Sequence, residues 1–220
     1  MESNVPEIKE FWSTGWENDF TPYHKAELNT SYHKHVKWLL SDDQKSRVFF
    51  PFCGKCVDMK WMYDEGHEVI GIEGVELPII EFFKESQIEY EVLDVQGGTL
   101  KVYQSKDGRL KLYYGNYYDM RSTGEDPFTA VWDRGALEAI PASERQLYVQ
   151  LMMSLMSPGS RCLVEVAERS DDLGPPYFIS PEELTALYGA DYSVIFLESY
   201  QEEKQPPTVK HFNMYSVQKS

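Results

Sequence analysis

Short apolar runs alternate with helix-like segments in the first third of the chain. Residues 48–50 form an apolar, β-prone run, which predicts a buried strand. Residues 57–65 then carry apolar side chains at helical spacing, and Gly66 is placed to end that helix. Residues 67–72 form a second apolar run and predict the next strand. This order is typical of a strand–helix–strand unit in an α/β sheet.

Two residues at the ends of this unit are candidates for ligand binding. Gly54 lies in the turn after the first strand, where the absence of a side chain allows a ligand to approach the backbone closely. Glu73 follows at the spacing of about 20 residues at which nucleotide-binding units place the acid that binds ribose hydroxyls. A right-handed crossover brings both residues to one crevice. A single glycine is not the G-x-G-x-x-G pattern of pyrophosphate sites, so the turn favours S-adenosylmethionine over NAD.

Further helices and strands follow along the chain. The apolar spacing predicts helices over residues 25–40, 76–85 and 143–156, and strands over residues 128–132, 161–167, 193–197 and 211–217. The second of these helices is expected to bury Leu77, Ile80 and Phe83. Ser180 opens a further short helix with a capping-box pattern. The last two strands are expected to form an antiparallel edge of the sheet.

One pair of runs has the pattern of a β-hairpin. Asp107-Gly108 lies between two alternating runs within residues 100–114, and this dipeptide is a strong hairpin signal. Because consecutive parallel strands need a crossover connection, the hairpin is expected to be an insertion into the parallel scheme.

An unusually aromatic segment precedes the first strand. Its rings belong to Phe11, Trp12, Trp16, Phe20 and Tyr23. One interpretation is an N-terminal arm that packs these rings on the core. The other is a flap whose rings cover a bound planar ligand, because ligand pockets are lined by aromatic groups. The two interpretations are compatible.

Composition and charge exclude several classes of protein. The chain has 220 residues, which predicts one domain over residues 1–220 with residues 1–24 as its arm. The net charge of −15 disfavours nucleic acids and anionic lipids as partners, and no apolar run reaches the roughly 20 residues that span a bilayer. Three cysteines are consistent with a reducing compartment, so we expect a cytoplasmic protein and no membrane association. The histidines show no metal-ligand spacing, and we assign no metal.

Cys53 and Cys56 form a C-x-x-C pattern between a strand and a helix. Thioredoxin-like proteins place their redox pair in this position, which leaves a dithiol oxidoreductase as the alternative function. A structural zinc site would need a second pair, and only Cys162 remains. The simplest interpretation is two partly buried thiols beside a ligand site.

Two later turns carry further candidates. Asn116, Tyr117 and Asp119 follow the hairpin and either present polar groups to a purine or form an ordinary polar turn. Asp133 and Arg134 end a predicted strand, where open α/β sheets bind their ligands. Arg134 either pairs with Asp133 or stabilises an anionic substrate.

Four strings resemble the thiopurine S-methyltransferase family. They are F-F-P-F-C-G-K-C-V-D-M-K-W, G-I-E-G-V-E-L, V-W-D-R-G-A-L-E-A-I and G-P-P-Y-F-I, and the likeness runs from about Phe11 to the C-terminus. It implies a Rossmann-like class I methyltransferase fold: a mostly parallel seven-stranded sheet with an antiparallel C-terminal edge and helices on both faces. It also implies S-adenosyl-L-methionine as methyl donor and S-adenosyl-L-homocysteine as product.

The resemblance also implies a set of site residues. Cofactor contacts would fall on Trp12, Trp16, Tyr23, Phe52, Gly54, Glu73, Asn116, Tyr117 and Arg134. Substrate contacts would fall on Tyr23, Trp61, Arg134, Pro175, Pro176 and Lys204, with Arg134 as the catalytic residue. Lys204 stands where members that accept thiopurines carry a second arginine, and lysine lacks the bidentate fork of arginine. The acceptor therefore stays open between a thiopurine and another thiol, a selenol or sulfide.

The expected reaction is direct in-line methyl transfer to the sulfur of an aromatic or heterocyclic thiol. A sulfonium methyl group is already activated, so the enzyme needs to align the nucleophile and exclude water. A thiol ionises near neutral pH, and Arg134 with Lys204 would favour its anion. We expect a small-molecule partner and a monomer. A protein that binds the cofactor without turnover is a further alternative.

Overall fold

A computed structural model describes most of the chain, namely residues 5–21, 23–40, 45–95, 97–170, 174–202 and 205–219. It divides into two compact units. The first unit comprises Met1–Leu28 and Phe52–Thr123, and the second comprises Asn29–Pro51 and Gly124–Ser220. None of the helices in the described ranges has the length and apolar character needed to cross a bilayer.

Helices and strands alternate through most of both units. The α-helices are α1 (Val5–Glu17), α2 (Thr30–Leu39), α3 (Val57–Asp64), α4 (Glu76–Glu85), α5 (Ala142–Leu155) and α6 (Pro181–Tyr188). The strands are β1 (Arg47–Pro51), β2 (Glu68–Glu73), β3 (Tyr90–Asp94), β4 (Leu100–Ser105), β5 (Leu110–Gly115), β6 (Phe128–Arg134), β7 (Met156–Arg169), β8 (Tyr192–Tyr200) and β9 (Val209–Lys219). Short 3₁₀ helices cover Tyr117–Ser122 and Leu137–Ala139.

The first unit orders its strands β3-β4-β5-β2. The predicted hairpin is confirmed as β4 and β5, which pair antiparallel. It is not only an insertion, because β5 also pairs parallel to β2, with Glu73 opposite Tyr114. The chain reaches β5 from β2 through α4, which supplies the crossover that a parallel pair needs. The pattern did not predict β3, whose five residues are all exposed.

The second unit orders its strands β1-β6-β7-β9-β8. The strands β1, β6 and β7 are parallel, whereas β9 and β8 add antiparallel to them. The expected antiparallel C-terminal edge is therefore confirmed. The described ranges contain nine strands, whereas the resemblance implied seven.

Local signals predicted helix positions better than helix faces. Ser180 caps α6 as expected, accepting a 3.1 Å hydrogen bond from the amide of Glu183. The residues of α4 at the core are Pro78, Ile79, Phe82 and Phe83. Leu77 is only half-buried, and the prediction that Ile80 is buried was wrong, since 37% of this residue is exposed. An α-helix turns by about 100° per residue, so a face centred on Ile79 and Phe83 directs Ile80 away from the core.

One N-terminal boundary needed correction, and the aromatic segment before it has a regular structure. The helix expected over residues 25–40 begins only at Thr30, because Asn29 acts as its N-cap and accepts a 2.7 Å hydrogen bond from the amide of Tyr32. The aromatic segment is helical, since α1 carries three of its rings. Of the remaining two, Phe20 is largely exposed. The segment therefore begins as a helix, and both interpretations of its rings stay predictions.

Candidate functional site

The turn after β1 is joined directly to the end of β2. Gly54 has a φ of +50°, a left-handed conformation that favours glycine. Its N–H donates a 2.9 Å hydrogen bond to Oε2 of Glu73. The amide of Val75 donates a second 2.9 Å hydrogen bond, to Oε1 of the same carboxyl group. The two residues that the sequence predicted to share a crevice are therefore in contact.

The carboxyl group of Glu73 retains capacity to bind a ligand. Burial raises its pKa, and hydrogen bonds from Val75, Gly54 and Gly74 act in the opposite direction. The two carboxylate oxygens together have about four lone-pair positions, so the three backbone donors leave further acceptor capacity. A Cβ atom added to Gly74 would meet no atom within 4 Å, so there is open space at the backbone of the residue that follows Glu73. A carboxylate with acceptor capacity is the group that binds ribose hydroxyls in nucleotide-binding units.

Trp16 lies against the same turn. A Cβ atom added to Gly54 would approach Cζ2 of Trp16 to 3.1 Å, so the indole covers the glycine backbone at close range. Nζ of Lys55 lies 6.0 Å from the centre of the Trp16 ring. The same ammonium group forms ion pairs with Glu81 at 2.8 Å and Glu85 at 2.7 Å. These contacts link the aromatic helix α1, the glycine turn and α4.

The other predicted aromatic residues of the first unit meet in pairs. The rings of Trp12 and Tyr23 are 6.5 Å apart in an edge-on arrangement. The rings of Phe52 and Tyr117 are 5.3 Å apart, and Phe52 has a positive φ of 42°. Asn116 caps the 3₁₀ helix that begins at Tyr117, and its side chain accepts a 3.1 Å hydrogen bond from a backbone amide. The contact of Asn116 with a purine stays a prediction.

Four predicted substrate residues lie further along the chain. Trp61 is half-buried in α3. Pro175 is half-buried and Pro176 is buried, in the segment between β7 and α6. Lys204 lies outside the described residues.

The cysteine pair has the properties of core thiols. Cys53 and Cys56 are both buried and reduced. Burial, followed by the charge of Glu73, raises the pKa of Cys53. A Cβ atom added to Gly71 would lie 2.7 Å from Sγ of Cys53, so this thiol packs tightly against β2. Redox-active thiols have a lowered pKa and partial exposure, so these properties disfavour the oxidoreductase alternative.

Arg134 ends β6 in the second unit and faces an acid on the next strand. Its register partner on β7 is Glu165. Nε of Arg134 lies 3.4 Å from Oε1 of Glu165, with 16% and 4% of the two side chains exposed. The sequence had proposed Asp133 or a substrate as the partner of Arg134. In the structure the ion pair is with Glu165, which the sequence patterns had not singled out.

Asp133 makes a different set of hydrogen bonds. Its Oδ1 accepts hydrogen bonds of 3.1 Å from the amides of both Ala136 and Leu137. Its Oδ2 accepts a 2.8 Å hydrogen bond from the hydroxyl of Tyr148. Burial raises the pKa of Asp133 to about 6 against the effect of these donors. The neighbouring residues Asp133 and Arg134 therefore bind separate partners, as side chains that alternate along a strand do.

The second oxygen of Glu165 is held by two further side chains. Nδ2 of Asn29 donates to Oε2 of Glu165 at 2.6 Å and lies 3.0 Å from the hydroxyl of Tyr200. That hydroxyl also donates to Oε2. The sequence signal for this cluster was Glu165 itself, a glutamate inside the apolar run 161–167. A buried glutamate is almost always paired, so its position in a predicted buried strand indicates a partner.

Glu138 is a third buried acid of the second unit. Its Oε1 accepts a 2.6 Å hydrogen bond from the amide of Ala167. Burial raises its pKa well above the usual range, and the charges of Glu165 and Asp133 add to that effect. Its backbone carbonyl accepts a 2.7 Å hydrogen bond from the amide of Tyr177, directly after the proline pair.

Known proteins match nearly the whole sequence. The model of the family described as "Thiopurine S-methyltransferase (TPMT)" matches residues 8–219. A probable thiopurine S-methyltransferase of Danio rerio is 36% identical over 193 residues, which is 86% of this chain and 82% of the relative. The thiopurine S-methyltransferase of Bos taurus is 35% identical over 194 residues, which is 86% of this chain and 78% of the relative.

Solved structures with low sequence identity share the fold. A magnesium protoporphyrin IX methyltransferase from Synechocystis with bound SAM has a TM-score of 0.69 at 13% identity, covering 100% of this chain and 99% of the other. A 1,6-didemethyltoxoflavin-N1-methyltransferase from Burkholderia thailandensis, with bound S-adenosylhomocysteine, has a TM-score of 0.65 at 16% identity, covering 100% and 92%. The fold class expected from the sequence is confirmed.

Proposed function

We propose a function for this chain from the family to which it belongs, the thiopurine S-methyltransferase family. The chain transfers a methyl group from S-adenosylmethionine to the sulfur of an aromatic or heterocyclic thiol such as a thiopurine. The observation that carries this proposal is the contact between Gly54 and Glu73 beneath the ring of Trp16. A buried acceptor, a glycine backbone and an indole are the chemical groups that a nucleoside with an amino-acid tail needs.

The first unit would hold the cofactor. S-adenosylmethionine supplies a methyl group that its sulfonium centre has already activated. Glu73 would accept hydrogen bonds from the ribose hydroxyls through the lone pairs that the backbone amides leave available. The ring of Trp16 would cover the ligand and exclude water from it. The remaining proposed cofactor contacts in this unit are Trp12, Tyr23, Phe52, Gly54, Asn116 and Tyr117, and Arg134 of the second unit is a further proposed contact.

Arg134 is the proposed catalytic residue. Its guanidinium group would donate hydrogen bonds to the acceptor sulfur and favour the thiolate over the thiol. Thiols ionise near neutral pH, so a hydrogen-bond donor suffices and no strong base is required. Direct in-line transfer would then depend on alignment of the sulfur and exclusion of water. The remaining proposed substrate contacts are Tyr23, Trp61, Pro175, Pro176 and Lys204.

The cellular setting is part of the same proposal. A net charge of −15 makes nucleic acid an unfavourable partner and suits a small-molecule acceptor. Three reduced, buried cysteines are what a reducing cytoplasm would maintain. We propose that the chain acts there as a single domain and a monomer, which sedimentation of the purified protein would test.

The decisive experiment combines transfer and binding on one sample. Labelled methyl transfer from S-adenosylmethionine to mercaptopurine is measured, and cofactor binding is measured by calorimetry. Transfer would support both the reaction type and the thiopurine acceptor. Binding without transfer would overturn the thiopurine acceptor, and the same assay would then be run on thiophenol, selenols and sulfide. Absence of binding would overturn the proposal as a whole.

A further inference from the structure

We propose that Glu165 determines substrate specificity by compensating the charge of Arg134, so that the enzyme prefers aromatic thiols without a second anionic group over thiols that carry a carboxylate. The inference rests on the proposed function, because it assumes that Arg134 faces the acceptor. It goes further by naming the acceptor's charge class and the residue that sets it.

The ion pair is built into the sheet. Arg134 and Glu165 are register partners on the parallel strands β6 and β7, so their backbones hold the two side chains next to each other. The distance of 3.4 Å between Nε and Oε1 joins two side chains that are both largely buried. The two opposite charges interact strongly, because they are close together and little water reaches them to screen the attraction.

The carboxylate of Glu165 is also fixed from its other side. Asn29 donates to Oε2 at 2.6 Å, and the hydroxyl of Tyr200 donates to the same atom. Burial raises the pKa of Tyr200, and the negative charge of Glu165 adds to that effect. Tyr200 therefore remains protonated and continues to donate. These donors hold the acid in place, facing Arg134 with its first oxygen.

Among the described residues, the ionisable groups that act on this pair carry both signs of charge. Asp133, with a pKa of about 6, is mainly ionised at neutral pH and adds negative charge. Burial raises the pKa of Glu138 well above its usual range, which favours the neutral acid. Arg169 acts on Glu138 and lowers its pKa against that effect. The described residues around Arg134 therefore offer a ligand a local donor but little net positive charge.

Two kinds of substrate group respond differently to such a pair. A sulfur atom that contacts the guanidinium group gains a short-range hydrogen bond from it. A carboxylate on the far side of the aromatic ring interacts with both members of the pair, and their opposite charges largely cancel at that distance. That carboxylate still loses hydration on binding and gains little in return. A ring without a second charge avoids this cost.

The test compares thiophenol with 4-mercaptobenzoate as methyl acceptors at neutral pH. The variant Glu165→Gln removes the compensating charge and keeps a side chain of similar size. We expect kcat/KM for 4-mercaptobenzoate, divided by that for thiophenol, to rise about tenfold over wild type, mainly through KM, because Arg134 then attracts the carboxylate. The intrinsic difference between the two thiols cancels when the ratios are compared. A fall in the amount of folded protein cancels as well.

A matched control is Tyr200→Phe, which removes a hydrogen bond from the same carboxylate and leaves its charge in place. Its ratio should remain within about twofold of wild type, the usual error of such comparisons. An unchanged ratio in Glu165→Gln would overturn the inference, and so would an equal rise in Tyr200→Phe. If wild type methylates no thiol at all, the proposed function itself fails, and this outcome is distinct from either result.

A double variant covers the case in which Glu165→Gln does not fold. Replacing both members of a buried ion pair by apolar residues of similar volume is often tolerated, so Arg134→Met is combined with Glu165→Met. If the pair is neutral towards remote groups, the relative affinity for 4-mercaptobenzoate and thiophenol, measured by calorimetry, should stay within about twofold of wild type. A larger fall for 4-mercaptobenzoate would show that Arg134 had acted as an uncompensated cation, which would overturn the inference.

Discussion

The amide of Gly54 donates a 2.9 Å hydrogen bond to the carboxyl group of Glu73 across 19 residues of sequence. This contact joins the turn before α3 to the carboxyl end of β2. The turn and the acid therefore form one preorganised element, and changing either residue is expected to affect the other.

Glu73→Gln tests the proposed ribose contact. The amide side chain keeps one acceptor oxygen but replaces the other with a donor that opposes a backbone amide. We expect the affinity for S-adenosylmethionine to fall about tenfold or more, as for loss of a charge-assisted hydrogen bond. Calorimetry measures the loss. Glu68→Gln, at the opposite end of β2, is the control, and equal affinities of Glu73→Gln and wild type would contradict the ribose contact.

Gly54→Ala tests the contact between the turn and Trp16. The turn would force the alanine into a left-handed conformation, and the added Cβ atom would approach the indole to 3.1 Å. We expect a loss of about 1 kcal/mol or more in the free energy of unfolding, measured by urea denaturation. We also expect weaker cofactor binding.

Gly98→Ala is the matched control for this change. Gly98 also has a positive φ, of 72°, but an added Cβ atom there would meet no atom within 4 Å. Its loss therefore reports the backbone strain alone, and the difference between the variants reports the contact with Trp16. Equal losses of stability with unchanged cofactor affinity in both variants would show that the contact is unimportant.

Arg134→Gln tests the proposed stabilisation of the acceptor anion. Loss of the positive group should raise the pKa of the bound thiol, so the rising limb of the pH–rate profile moves to higher pH. At neutral pH we expect kcat to fall about 10- to 100-fold. Arg121→Gln, a change at an exposed position, is the control and should match wild type. A fall in rate without movement of the pH profile would indicate a structural role for Arg134.

Asp133→Asn tests the cost of a buried acid. Burial raises the pKa of Asp133 from 3.8 to about 6, so between these values the folded protein holds a proton that the unfolded chain has released. The contribution of Asp133 to the free energy of unfolding is therefore greatest below pH 4, and it falls by on the order of 3 kcal/mol as the pH rises to about 6. Urea denaturation from pH 4 to 7 should show this component in wild type and not in Asp133→Asn. The same decline in both proteins would contradict the assignment.

Asn29→Ala tests a residue with two structural roles. Asn29 caps α2 and also donates to the buried carboxylate of Glu165 at 2.6 Å. We expect urea denaturation to show a loss of about 2 to 3 kcal/mol, from the lost cap and the weakened solvation of the acid. Asn116→Ala removes the cap of a 3₁₀ helix at an exposed residue and should cost about 1 kcal/mol or less. Similar losses in the two variants would show that the contact with Glu165 contributes little.

Local sequence patterns were sufficient to predict those elements whose structure depends on residues close together in the chain. The apolar runs of β1 and β2, the hairpin at Asp107-Gly108 and the cap at Ser180 all depend on residues a few positions apart, and each was confirmed. The burial of Ile80 was mispredicted, because the face that a helix buries depends on what packs against it.

The sequence by itself determined the strand–helix–strand unit, the placement of Gly54 and Glu73 and the family to which the chain belongs. Tertiary structure alone decided the partner of Arg134. The sequence offered the adjacent Asp133, whereas the structure pairs Arg134 with Glu165 on the next strand, which Asn29 holds from 136 residues away. Periodicity reports which residues share a face of one element. The pairing of buried charges depends on strand order and register, and these arise only when distant elements pack together.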